Sequence, residues 1–544
     1  MPNYLSPGVY VEEVSSGNKP IVGAGTSTGA FVGIAERGEI GKAILITSWS
    51  QFVREFGGFI PNGYLAYAVY GFFAEGGTSC YIVRTCCYSD ITKSTTKMAK
   101  PAAVSLIDNE TNEDKVGKSM QVIAANEGTW GNNISVRVEP AGEIYNGFKL
   151  TVIYQSPLMV EAEILEVFDN LVAESVDDLD KLEEYINGVS KFIRIEKDSW
   201  KDGSVNVKGS KKPPKTTSGS GDDLKGYYLE KLSGGDDGLS YKDGSNKVIN
   251  IGSVDFAGDS KAQNGLYAFD LVDTVNILAV PDMAGDRSFI LKALEYCKNR
   301  KDCFFVADAS KGLGATEVKD FKKATGAYNG QNAFNSSYGA LYYPWVWVND
   351  SLTRSKKLVP PSGVVAGTYA YTDATRGVHK APAGVFDGYL DSVIGIEKIV
   401  TKGEQEELNP IGVNVIRSFP DGICIWGART LSTDAEWNYI NVRRLFLFLE
   451  KSIDRGTQWV VFEPNEPGLW GKVNRNLTAF LTRVWRDGAL FGSTPDEAFF
   501  IKVDEENNPP EVRDAGQLII EVGVAPVKPA EFVIIRISQK TLSK

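Results

Sequence analysis

Val275-Asn276-Ile277-Leu278-Ala279-Val280 and Cys303-Phe304-Phe305-Val306-Ala307, with the helical pattern Arg287–Asn299 between them, decide the fold class. Each run is short, β-prone and apolar with little alternation, as a strand covered on both faces must be. Thr316–Ala324 continues the pattern as a helix, and Gly339–Val348 supplies the next β-prone run. Strand and helix in alternation imply a mostly parallel sheet with helices on both faces. Toward the N-terminus, the glycine-rich lead Gly23–Gly29 opens into a strand at Ala30–Ala35. Ser48–Phe59 and Gly63–Glu75 read as short helices, and Cys80–Arg84 as another strand.

Between Ile91 and Ser245 the texture changes. Ile134–Val138 and Phe148–Tyr154 alternate, Asp177–Gly188 reads as one short helix, and Lys201–Lys225 is polar low-complexity chain. This segment is expected to be an inserted, mostly β outer domain.

The last quarter opens with Val415-Ile416-Arg417-Ser418-Phe419 and runs through Trp426-Gly427-Ala428-Arg429-Thr430-Leu431. Thr433 and Glu436 have the spacing of a capping box, which predicts a helix start there. Leu445-Phe446-Leu447-Phe448-Leu449 makes that helix apolar nearly all round, so it must be buried. Gly456 is expected to stop it, and Trp459–Phe462 to form a short buried strand. A second helix is predicted over Glu466–Asp487, capped by Asn465 with Pro467 in its first turn. At 100° per residue Leu469, Val473, Leu477, Phe480, Leu481 and Val484 share one face. Lys472, Arg475, Arg483 and Arg486 share the opposite one, with no acidic residue from Gly468 to Arg486. A solvated face explains such a stripe; so does a docking surface for an acidic partner.

The termini mirror each other. Leu5–Val14 is a turn and a strand, with Val9 and Val11 on one side and Tyr10 and Glu12 on the other, cut off by a linker at Ser15–Pro20. Pro526 and Pro529 precede Glu531–Ser538, where Phe532 and Ile534 alternate with Val533, Ile535 and Ile537. A lone strand beyond a linker needs a sheet edge elsewhere, and exchange with a neighbouring copy satisfies its backbone.

A chain of 544 residues with net charge −11 exceeds a single core and lacks the basic surface that nucleic acid needs. Its apolar runs are too short to span a bilayer, Met1–Tyr4 opens no secretory signal, and six cysteines suit a reducing cytoplasm. Gly25-Thr26-Ser27-Thr28-Gly29 fits the nucleophile-elbow pattern, but its strand follows the serine, and His379 is the sole histidine. Asp282 and Asp308 follow two strands at the end where α/β enzymes place ligands, which keeps a Mg²⁺-dependent hydrolase as the alternative. Strand-ending aspartates are equally common as helix caps.

Several motifs, in order along the chain, resemble the contractile tail sheath family. They are Leu5–Glu13, Glu127-Gly128-Thr129-Trp130-Gly131-Asn132-Asn133, Leu232-Ser233-Gly234-Gly235-Asp236-Asp237-Gly238, Tyr342-Tyr343-Pro344-Trp345, Arg376–Gly384, Ser418–Leu431 and Glu463-Pro464-Asn465. The departure is His379, where the family more often carries an aromatic residue. The resemblance implies an α/β and α+β multidomain protein: arm 1–20, middle α/β domain 21–90 and 246–412, inserted outer domain 91–245, inner sheath core 413–523 and arm 524–544. It implies a structural subunit rather than an enzyme, with no cofactor or metal. Such subunits are made in the bacterial cytoplasm, stack as hexameric rings around an inner tube, meet baseplate and cap proteins, and contract to drive the tube through a target envelope. The particle would be a phage tail, a bacteriocin or an injection system. The basic helix would face the tube, and the terminal strands would link subunits.

Overall fold

Eight strands form one twisted sheet at the centre of the computed structural model. The model describes residues 20–107, 118–145, 147–157, 159, 161–172, 176–196, 200–202, 205–207, 214–216, 227–532, 534 and 536. In chain order the first elements are β1 (Gly29–Gly33), β2 (Ala43–Ile46), α1 (Trp49–Phe56), α2 (Leu65–Ala74) and β3 (Cys80–Arg84). After the insertion come β4 (Ile277–Ala279), α3 (Arg287–Arg300), β5 (Phe304–Asp308), α4 (Ala315–Lys323) and β6 (Gly339–Tyr343). Then follow α5 (Ser362–Arg376), β7 (Val413–Phe419) and β8 (Gly422–Ile425). The sheet order is β2-β3-β1-β4-β5-β6-β7-β8. Its six inner strands run parallel, and β2 and β8 close the edges antiparallel.

Both faces of the sheet are covered, as the apolar runs require. Phe304 and Val306 enter the core under α1, α2 and α5, while Phe305 and Ala307 enter the one under α3 and α4. The period of two thus divides one apolar run between two cores. Helices α2 and α5 pack closely because Gly363 has no side chain: a Cβ there would sit 2.3 Å from the Ala68 Cα.

Besides a two-stranded ribbon of Trp200–Asp202 with Val205–Val207, the insertion carries two larger antiparallel sheets. One orders Tyr228–Lys231, Ile134–Pro140, Phe148–Tyr154 and Glu163–Leu171; the other orders Ala103–Ile107, Lys118–Ala124 and Ile193–Glu196. With the helix Val176–Val189 they enclose a separate core around Trp130, Val136, Leu150 and Val152. Its root is a clasp between two motifs about a hundred residues apart. Asp237 accepts from the Thr129 backbone at 3.0 Å and from its hydroxyl at 2.6 Å, and Asn132 exchanges two hydrogen bonds with Gly235. Arg84, buried at the end of β3, donates to the carbonyls of Gly38 and Glu127.

The C-terminal region consists of α6 (Ile440–Thr457), α7 (Pro467–Arg486) and a ribbon of β9 (Phe499–Lys502) and β10 (Glu521–Val524). Several expectations fail here. Thr433 and Glu436 form no capping box; Asp434 caps a 3-10 turn at Ala435–Trp437 and α6 begins later. Gly456 lies inside α6 rather than ending it, and its bare Cα admits Ile21, which a Cβ would approach to 2.6 Å. Residues Trp459–Phe462 form no strand: a 3-10 turn covers Gln458–Val460, and Phe462 is fully exposed with φ of 70°. Asn465 does not cap α7; its side chain binds the Trp470 indole and the Gln517 carbonyl. Residues 413–425, read as the opening of the inner core, are β7 and β8 of the central sheet. Strand 5–14 lies outside the described residues. Of 531–538, residues 531, 532, 534 and 536 are described, and none of these is in a strand.

Candidate functional site: a basic helix face and the roots of two arms

Helix α7 divides along its length as its sequence dictates. Pro467 occupies the first turn, where a missing N–H costs nothing. Leu469, Val473, Leu477, Phe480, Leu481 and Val484 are buried against α6. On the other face Lys472, Arg475, Arg483 and Arg486 are all exposed. The nearby ion pairs use other residues, Lys502–Glu506 and Arg429–Glu531. Four cations along one face of a single helix leave a positive strip on an acidic chain.

One of the four has a second contact. Arg483 Nη2 donates to the Ile21 carbonyl at 2.9 Å. Ile21 is buried in the same core as α7, and Ala24 donates its N–H to Ser452 Oγ on α6. Residues 21–24 are therefore packed beside the basic strip. No sequence pattern signalled this contact, because its partners lie at opposite ends of the chain. At the other terminus, Glu531 is bound by Arg429, Asn409 and Tyr439. Beyond it Phe532 and Ile534 are exposed.

Asp282 and Asp308 stand at the carboxyl ends of β4 and β5, but each carboxylate is occupied by backbone. Asp282 accepts from Ile34 N–H at 2.7 Å and Tyr64 N–H at 2.5 Å, at the start of α2. Asp308 accepts from Ser362 N–H at 2.7 Å, at the start of α5. Burial pushes the two carboxyls up, to about 6 and about 7, against the pull of these donors. They are helix caps supplied from distant strands. Ser27 precedes β1, and among the described residues no strand leads into it, as a nucleophile elbow requires. His379 packs its ring against Gly377, and burial lowers its pKa. Among the described residues no group of three His, Cys, Asp or Glu could hold a metal, and no helix is long and apolar enough to cross a membrane.

The chain matches the phage tail sheath protein central domain over residues 257–431 and the phage tail sheath C-terminal domain over 432–540. These adjacent matches cover more than half of it. The tail sheath protein of Vibrio phage KVP40 is 24% identical over 312 residues, 52% of this chain and 46% of that one. That of Burkholderia phage BcepMu is 29% identical over 294 residues, 50% of this chain and 57% of that one. The chain spans about half the length of these curated relatives. Its fold is similar to the sheath of the PVC extracellular contractile injection system in the contracted state, with a TM-score of 0.56, 22% identity and 99% of both chains covered. The sheath tail protein from Listeria innocua gives a TM-score of 0.55 at 12% identity, covering 93% of this chain and 96% of that one.

Proposed function

Because this chain belongs to the phage tail sheath family, we propose that it is the sheath subunit of a contractile tail or injection particle. The family is one of structural proteins, and the hydrolase alternative has no support: its two carboxylates serve as helix caps. Copies of the subunit polymerise as stacked hexameric rings around an inner tube, and contraction drives that tube through a target envelope. Baseplate and cap proteins bound the stack. The subunit is made in a bacterial cytoplasm and works as part of a phage tail, bacteriocin or injection particle.

The observation that carries this reading is the exposed strip Lys472, Arg475, Arg483 and Arg486, on a helix within the C-terminal sheath match. It is the surface offered to an acidic tube. Single exposed ion pairs contribute about 0–1 kcal/mol and weaken with salt. Many weak contacts, repeated along a tube, hold an extended state and still break together on contraction.

The terminal strands Val9–Glu12 and Phe532–Ile537 are the links between subunits. The ribbon β9–β10 is their receptor: a sheet of two strands, with Phe500 exposed on it, leaves outer edges open to strand addition. Main-chain pairing at a sheet edge persists while the bodies of the subunits move. The inserted unit, roughly 91–245, is assigned to the outside of the cylinder. Negative-stain microscopy of purified protein tests the reading. Cylinders with a regular axial repeat support it, and a monodisperse monomer at high concentration overturns it.

A further inference from the structure

Glu531 stands at the root of the C-terminal arm in a socket of three side chains. Arg429 grips it with two parallel bonds, Nε to Oε1 at 2.8 Å and Nη2 to Oε2 at 2.6 Å. Asn409 Nδ2 donates to Oε1 at 2.5 Å and Tyr439 Oη to Oε2 at 3.1 Å. Against burial, which raises it, the bonds from Arg429 and Asn409 hold the Glu531 carboxyl below its usual range. The socket is itself built in: Asn414 accepts from the Arg429 N–H and donates to its carbonyl, both at 2.8 Å. Just beyond Glu531, Phe532 is 73% and Ile534 79% exposed. Before the socket, the tail is held at Val527, which donates to Ala489 and accepts from Asn441. It then crosses a groove of about 880 Å³.

We propose that Asn409, Arg429 and Tyr439 form a permanent anchor for Glu531, so that only residues 532–544 pass to a neighbouring subunit. This rests on the strand-exchange reading above. Bidentate charge-assisted pairs are among the stronger polar contacts, and a departing Glu531 leaves a half-buried guanidinium without its carboxylate. The donors also come from both sides of the boundary between the two matched regions: Asn409 and Arg429 precede it, and Tyr439 follows. The anchored tail thereby staples the central sheet to the helical unit. An arm pivoting at 531 leaves from one defined point. Extended at about 3.3 Å per residue, it still reaches on the order of 40 Å. Glu531 is a positioning residue: it sets where exchange begins and takes no part in the exchanged strand.

Two variants and one truncation test this. Glu531→Gln keeps the shape and removes the charge; with an unchanged circular dichroism spectrum, it should raise the concentration needed for polymerisation about tenfold. Asn409→Cys with Glu531→Cys, bridged by a short bismaleimide that the six buried native thiols do not meet, restores the anchor covalently. The bridged chain should polymerise near the normal concentration and the unbridged one should not. Normal polymerisation of Glu531→Gln overturns the anchor. So does a bridged chain that stays monomeric while the unbridged chain assembles, since the contact is then a latch that must open. A chain ending at Glu531 separates the two ideas: if it still builds cylinders, the exchange reading fails whatever the socket does.

Discussion

Asp308 Oδ1 accepts the backbone N–H of Ser362 at 2.7 Å, so the carboxylate that ends β5 caps α5. The helix N-terminus attracts the charge, but burial dominates and raises the carboxyl from 3.8 to about 7. Between those values the folded chain keeps a proton that the unfolded chain has released. Stability from this group is therefore present at low pH and falls as pH rises through about 7. Asp308→Asn should remove that slope. Thermal unfolding at about pH 5 and about pH 8 reads it: the wild-type chain should lose up to about 2.7 kcal/mol more across the window than the variant. Equal slopes would show that Asp308 is ionised throughout.

The basic strip should be tested away from the N-terminal root. Arg483 holds the Ile21 carbonyl, so replacing it disturbs two things at once. Lys472→Glu with Arg475→Glu changes only exposed charge. The variant should fold with stability within about 0.5 kcal/mol of the parent, yet yield empty or contracted cylinders. Extended, tube-filled particles would refute the tube contact.

Removing residues 1–14, or 531–544, should give subunits that no longer sediment as polymers. Their circular dichroism should be unchanged, because every described helix and strand lies between the two cuts. If either truncation still polymerises, that strand is no link.

Arg444 on α6 meets Asp373 on α5 through two bonds, 2.8 and 2.6 Å, with both side chains buried. Breaking a buried pair strands the remaining charge. Arg444→Met should cost about 3–5 kcal/mol, while the double change with Asp373→Leu should cost less. Denaturant midpoints of the three chains measure the coupling; additive losses would mean the pair acts independently.

The sequence by itself determined what depends on neighbours in the chain. Short apolar runs with little alternation placed the parallel strands, and the 3.6-residue period of α7 put its apolar residues inside and Lys472, Arg475, Arg483 and Arg486 outside. Tertiary structure alone decided the rest. Thr433–Glu436 has the spacing of a cap, yet Asp434 takes that role for a different turn. Gly456 looks like a helix stop, but Ile21, from the far end of the chain, uses its missing side chain. Asp282 and Asp308 could be read as catalytic or as caps, and the choice rests on helices that begin elsewhere in the sequence. Glu531 reads in the sequence only as the first residue of a terminal strand, and its socket appears once Arg429 and Tyr439 are brought beside it. Local propensity is set by a few adjacent residues, whereas capping partners, close approaches and ion pairs are set by which distant surfaces pack together.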